Sequence, residues 1–170
     1  MINTILDFWR NVVMPLGLSL FPVFPVGIQG GALLLLRVGL GVLFILHGYP
    51  KLTHLKMWSD ALKMPLYLCF LSAFSMFIGG FCLIAGFLTP FACLALLASM
   101  VFAFILEITQ GLPFVAIDPY LIPPGEYEGA DGKGEPPSQE KAFIYILMLI
   151  VLLVFGAGGF SVDAWLLGGN

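Results

Sequence analysis

Four side chains in this sequence have the chemistry to matter inside or beside an apolar environment: Arg37, His47, Lys51 and Glu107. A charged residue in the middle of a membrane helix costs about 2.5–3.5 kcal/mol on insertion scales, so Arg37 is expected to face a bundle interior with a partner or a ligand. At 100° per residue, Arg37, Gly41, Phe44, Gly48 and Lys51 share one stripe of a helix, an internal seam with a cation near each end. Pro50 could break that helix before Lys51. Two readings of Arg37 stand side by side: an anion or quinone head-group site, or a structural arginine held by backbone carbonyls or a partner subunit. His47 and His54 flank the same helix exit, where a neutral imidazole could hydrogen-bond a quinone carbonyl or relay a proton. The plainer reading is an interfacial histidine with no special role. Glu107 ends a later apolar run on the same side, where contact with Lys51 or His47 is geometrically reasonable. It is either a proton-handling group or an interfacial anchor. Arg37 lies about 20 Å deeper than Lys51 on a regular helix, so Glu107 is not expected to pair with it. His47 and Glu107 are therefore the catalytic candidates, and Arg37 and Lys51 the ligand-binding candidates.

Metal and thiol chemistry have little to work with. No other His or Cys sits at ligand spacing beside the two histidines, and no metal or haem is expected. Cys69, Cys82 and Cys93 all sit in apolar runs and form no C-x-x-C pair. On one helix Cys69 and Cys82 would be about 20 Å apart, too far to bridge. Each reads as a small buried hydrophobe.

The elements that must position these residues are membrane helices. Between Lys63 and Glu107 there is no charged side chain over 43 residues, and a second charge-free run extends from Ala142 to Val162. A crossing needs about 20 apolar residues, so the first run suffices for two and the second for one. Hydrophobic residues make up 60% of the 170 and charged residues 10%, well outside the range of soluble domains. The net charge of −3 argues against nucleic acid as a partner. The expected architecture is all-α: an integral-membrane bundle of four crossings, at 28–48, 65–88, 90–108 and 141–159. Helices are expected because lipid offers no partner to open backbone groups. Gly41, Gly48, Gly79, Gly80 and Gly86 read as helix-packing and turn positions.

Residues 1–27 are expected to form an amphipathic interfacial helix and an entry segment before the membrane domain of residues 28–170. Ile2, Ile5, Leu6, Trp9, Val12 and Val13 fall on one face of that helix, and Asn3, Thr4, Asp7, Arg10 and Asn11 on the other. With Asp7 in place of a basic region, it does not resemble a signal peptide. Residues 49–64 read as a short loop carrying Lys51, Lys56 and Lys63. Residues 109–140 read as an acidic, Pro-rich loop on the same side, either a solvated linker or a docking surface. Asp163 is expected to cap a short terminal helix over 162–167. Lys and Arg favour the loop side being cytoplasmic, but the lysines near the membrane could belong to a site, so orientation stays open.

Taken in order, these motifs resemble the DoxX/DoxD family of small four-helix membrane proteins. The first crossing reads Leu36-Arg37-Val38-Gly39-Leu40-Gly41-Val42-Leu43-Phe44, then His47-Gly48-Tyr49-Pro50-Lys51-Leu52. The second ends Gly79-Gly80-Phe81-Cys82-Leu83-Ile84-Ala85-Gly86-Phe87-Leu88-Thr89, and the C-terminal segment Gly156 to Asp163 is also similar. The resemblance covers roughly residues 30–167. Two departures stand out: Met76 where family members commonly carry a glutamate, and Pro90 where they often carry an arginine. That glutamate is expected to be a mid-membrane partner for Arg37.

The resemblance implies an integral-membrane subunit of an oxidoreductase system, passing electrons from a sulfur compound to membrane quinone in a bacterial-type inner membrane, plasma or photosynthetic. Quinone is the implied small-molecule partner. Electrons would have to come from another subunit. The competing expectation is a non-catalytic accessory subunit of a larger respiratory or photosynthetic complex. Besides the lipid bilayer, its partners would be other membrane subunits, docked through the apolar helix faces, the N-terminal helix and the acidic loop.

Overall fold

The computed structural model describes residues 24–118 and 136–167. The expected amphipathic helix at 2–13 and most of the acidic loop lie outside the described residues. Among the described residues all regular structure is helical: α1 (Gly27–Thr53), α2 (Leu55–Leu62), α3 (Leu66–Ala85), α4 (Thr89–Thr109), α5 (Glu140–Phe155) and α6 (Val162–Leu167). Three of these, α1, α3 and α4, are long and apolar enough to cross a membrane. The helix expected over 141–159 stops earlier. Its 16 residues span about 24 Å, short of a hydrocarbon core of about 30 Å. Gly156 (φ 75°) and Gly158 (φ 77°) end it, adopting backbone conformations that side-chain-bearing residues avoid. The chain then turns back against α1, where the Gly159 N–H donates to Pro25 O at 2.7 Å.

Two helix pairs form the bundle. α1 packs along α3, α4 packs along α5, and the α3–α4 contact joins the pairs. The α1–α3 seam is close because its residues are small. A methyl group on Gly41 would come within 2.6 Å of the Gly80 carbonyl oxygen, and one on Gly80 within 2.7 Å of the Gly41 oxygen. A methyl on Gly48 would meet the Phe77 nitrogen at 2.7 Å. Without a hydrophobic driving force between helices in lipid, backbone approach of this kind supplies the packing. Leu40, Phe44, Leu83, Leu96, Leu149 and Leu152 fill the centre where the pairs meet.

Two local expectations are corrected. Pro50 does not break α1, which continues to Thr53 with Pro50 inside it. A proline this near a helix C-terminus removes one hydrogen bond where water can compensate. The helix resumes its turn with His54 N–H donating to Pro50 O at 3.0 Å. Lys51 therefore keeps its helical register. The stretch 49–64 is also not simply a loop: it ends α1 and contains α2, closed by Lys63 in the left-handed region (φ 53°).

Candidate functional site

Polar groups gather at two ends of the bundle. At the end where α3 turns into α4, Arg37 is wholly buried, with no exposed surface. Its side chain leans toward the N-terminus of α1, as helical side chains do. Nη1 donates to Leu83 O at 3.1 Å and Nη2 to Phe160 O at 2.5 Å, while Nε has no partner. Leu83 belongs to the last turn of α3, and its carbonyl accepts from the Gly86 N–H at 3.1 Å as well as from Arg37. Gly86 lets this happen. It is left-handed (φ 64°), and a methyl group there would collide with Arg37 Nη1 and with Ser161. Asp163, 3% exposed, closes the same end. Its Oδ1 accepts from Leu88 N–H at 2.8 Å and its Oδ2 from Thr89 N–H at 2.9 Å, so it caps α4. It does not cap its own short helix, as the sequence suggested. That role falls to Ser161, whose Oγ accepts from Ala164 N–H at 3.0 Å. Asp163 is also the main favourable charge acting on the Arg37 guanidinium.

The opposite end is open. A cleft of about 150 Å³ lies where α1, α3, α4 and α5 converge, lined by His47, Lys51, Met76, Glu107, Lys141 and Tyr145 among others. The structure thus brings His47, Lys51 and Glu107 together and leaves Arg37 at the far end. Lys51 Nζ donates to the Met76 sulfur at 3.6 Å and sits 4.7 Å from the centroid of the Trp58 ring. Among the described residues no carboxylate is within ion-pair distance, although Glu107 is the main favourable charge acting on it. One carboxylate oxygen of Glu107, Oε2, is buried without a hydrogen-bond partner among the described residues. His47 Nε2 lies 3.4 Å from the Tyr145 hydroxyl, which donates or accepts according to the imidazole tautomer. Phe44 backs the tyrosine ring at 5.2 Å between centroids. Gln139 holds the start of α5 in place, its side-chain amide donating to Leu112 O at 2.6 Å and its N–H to Pro113 O at 3.1 Å. His54 stays outside the cleft, beside Thr53 Oγ1 at 3.0 Å.

The position of Met76 corrects one expectation. Its sulfur meets Lys51, and its Cβ lies against Gly48, whereas the α3 partner of Arg37 is Leu83. Seven residues, about 10 Å, separate Met76 from Leu83 along α3. A glutamate at position 76 would face Lys51, because antiparallel helices count depth in opposite directions. Sequence reasoning also missed Trp58, Tyr145 and Lys141. The signal for the last two was available: Lys141 and Tyr145 are one helical turn apart at the entrance to α5, on the side of Lys51.

Apolar helices of membrane-crossing length, gathered round a polar cleft at one end, define a helical multi-pass membrane protein. Residues 32–107 of the chain match the DoxX family model. That match takes in α1 from its second turn, α2, α3 and α4 as far as Glu107, and so includes Arg37, His47 and Lys51. No curated protein matches the chain. No solved structure matches it either.

Proposed function

We propose that this DoxX protein is a membrane subunit of an oxidoreductase system and that its open cleft receives the head group of a lipid-soluble quinone. The observation that carries this reading is Lys51. Its only hydrogen-bond acceptor among the described residues is a thioether, yet it lines a cleft together with Glu107, one of whose carboxylate oxygens is buried with no partner among the described residues. An ammonium held at such depth is expensive unless something polar joins it. A quinone carbonyl accepts a hydrogen bond from Lys51. Two-electron reduction of a quinone takes up two protons, and Glu107 and the His47–Tyr145 pair are placed to handle them. The electrons come from a partner subunit, with a sulfur compound as their source in a bacterial-type inner membrane. In this reading α5 is a fourth crossing. It begins beside the end of α4 through Gln139, and the segment after it reaches the first turns of α1 through Phe160 and Gly159. The N-terminal helix and the acidic loop serve as docking elements.

A second reading draws on Arg37. Its guanidinium is enclosed and bonded to two backbone carbonyls, which leaves it as a fold-holding group and favours a non-catalytic subunit of a larger membrane complex. Isolation of the native protein in mild detergent, with mass spectrometry of bound proteins and quinones, separates the two. Retained quinone, with quinone reduction lost in Lys51→Met, supports the first. A discrete large complex whose activity is unchanged by Lys51→Met overturns it in favour of the second.

A further inference from the structure

A larger cavity, of about 390 Å³, lies in the groove between α3 and α4, lined by Leu68, Leu71, Ser75, Ala95, Ala98 and Phe102 together with Ser72 and Ser99. That volume is in the range of small-molecule sites, about 300–1,000 Å³. Its walls are apolar, and Leu68, Leu71, Ala95, Ala98 and Phe102 are exposed on two helices of membrane-crossing length, so the groove faces the bilayer. It is deep because the facing residues are small: serines and alanines where neighbouring positions carry leucine and phenylalanine. The groove runs along the first half of α3, the half nearer Lys51, and the middle of α4. Ser72 and Ser99 hydrogen-bond to each other across the two helices at its inner wall.

The groove does not end there. A narrower cavity of about 50 Å³ lies behind it, and four of its lining residues, Leu68, Ser72, Ser99 and Phe102, also line the groove. The same narrow cavity shares Lys51, Met76 and Ala103 with the polar cleft. Groove, neck and cleft therefore follow one another from the lipid face to Lys51, with Trp58 in the wall of the neck. One end of this line offers a hydrogen-bond donor whose only acceptor among the described residues is a thioether. The other offers only hydrocarbon contact. A ligand matched to both ends is an amphiphile with an accepting head and an apolar chain.

We propose that the α3–α4 groove is the chain subsite of the cleft: it takes the hydrocarbon tail of a lipid-soluble quinone that enters sideways from the bilayer and extends its carbonyl oxygen to Lys51. The proposal rests on the quinone reading of the cleft given above. Ser72 and Ser99 set the width of the neck and act as positioning residues. No passage through water is needed, since the tail remains in apolar surroundings throughout.

Trp58 provides the readout. In the full chain with Trp9→Phe and Trp165→Phe, quinone bound at Lys51 quenches the remaining tryptophan. Two probes are titrated in nanodiscs: a benzoquinone bearing a ten-carbon chain and the same ring without the chain. The groove is filled by Ala98→Phe or, as a second variant, Ala95→Phe. Both alanines are exposed, so the larger ring does not intrude on the core. The expected result is a loss of affinity for the chain-bearing probe of roughly tenfold, the effect of excluding about two methylenes from apolar contact. The chainless probe is unaffected, and Lys51→Met weakens both probes. If Lys51→Met abolishes quenching but groove filling leaves the chain-bearing probe unchanged, the groove holds only an acyl chain of the surrounding lipid, and the chain subsite is overturned while the cleft stands. Quenching that does not respond to Lys51→Met overturns the cleft reading and the chain subsite with it.

Discussion

Arg37 and Lys51 sit on one stripe of α1, yet they have opposite fates. Arg37 is enclosed, with two of its three nitrogens bonded to backbone carbonyls and Asp163 nearby. Lys51 faces an open cleft with a sulfur atom as its only hydrogen-bond acceptor among the described residues. The difference lies in what surrounds each. Around Arg37 the chain presents helix ends: the last carbonyls of α3, the first N–H groups of α4 and a glycine turn after α5. Such ends carry unsatisfied backbone groups of both signs, so a guanidinium and a carboxylate complete them. Lys51 also lies near helix ends, but its contacts among the described residues are side chains, the Met76 sulfur and the Trp58 ring. A buried cation bonded to backbone carbonyls holds the fold together, whereas one that meets only side chains is left available to a ligand.

Breaking the closed end has the largest expected effect. Arg37→Met removes the side-chain donor of the Phe160 carbonyl, leaves the Leu83 carbonyl with the Gly86 N–H alone and takes the cation away from Asp163, and should cost about 3–5 kcal/mol. Thermal unfolding in detergent measures it, and a wild-type melting curve would remove Arg37 from the fold-holding role. Gly86→Ala comes next. A left-handed alanine costs about 1–2 kcal/mol by itself, and the collision with Arg37 adds to that, so the melting temperature should fall by more than that strain alone. Asp163→Asn keeps one acceptor for the α4 cap but loses its charge, with an expected cost of about 1 kcal/mol. A larger loss than in Arg37→Met would make the carboxylate, and not the guanidinium, the centre of this end. Lys51→Met should have the smallest effect on stability, about zero or slightly favourable, because it removes an ammonium that membrane burial penalises.

How far the sequence reveals this depends on the kind of partner. The long charge-free runs place α3 and α4 within a few residues, because bilayer thickness translates directly into sequence length. His47, Lys51 and Glu107 can be placed at one end from helix direction alone. The partners of Arg37 cannot be read, since Leu83 and Phe160 contribute carbonyl oxygens that any residue carries. Asp163 looks local because capping motifs usually are, and only the fold reveals that it reaches back to Leu88 and Thr89. Trp58 is hidden for another reason: it lies in a short charged stretch that resembles a loop, and its ring reaches Lys51 only because α2 folds beneath the exit of α1.

The contrast between the two cations can be tested on one pair of variants. Arg37→Met and Lys51→Met are purified side by side, and each is measured for melting temperature and for Trp58 quenching by the chain-bearing benzoquinone. The account predicts that Arg37→Met melts lower by about 6–20 °C, given roughly 2–4 °C per kcal/mol for a chain of this size. Lys51→Met should melt within about 2 °C of the wild type, since its expected change in stability is close to zero, and it alone should lose the quenching measured on folded protein. The reverse pattern, with Lys51→Met destabilised and Arg37→Met stable but unable to bind the quinone, would contradict the account at its centre.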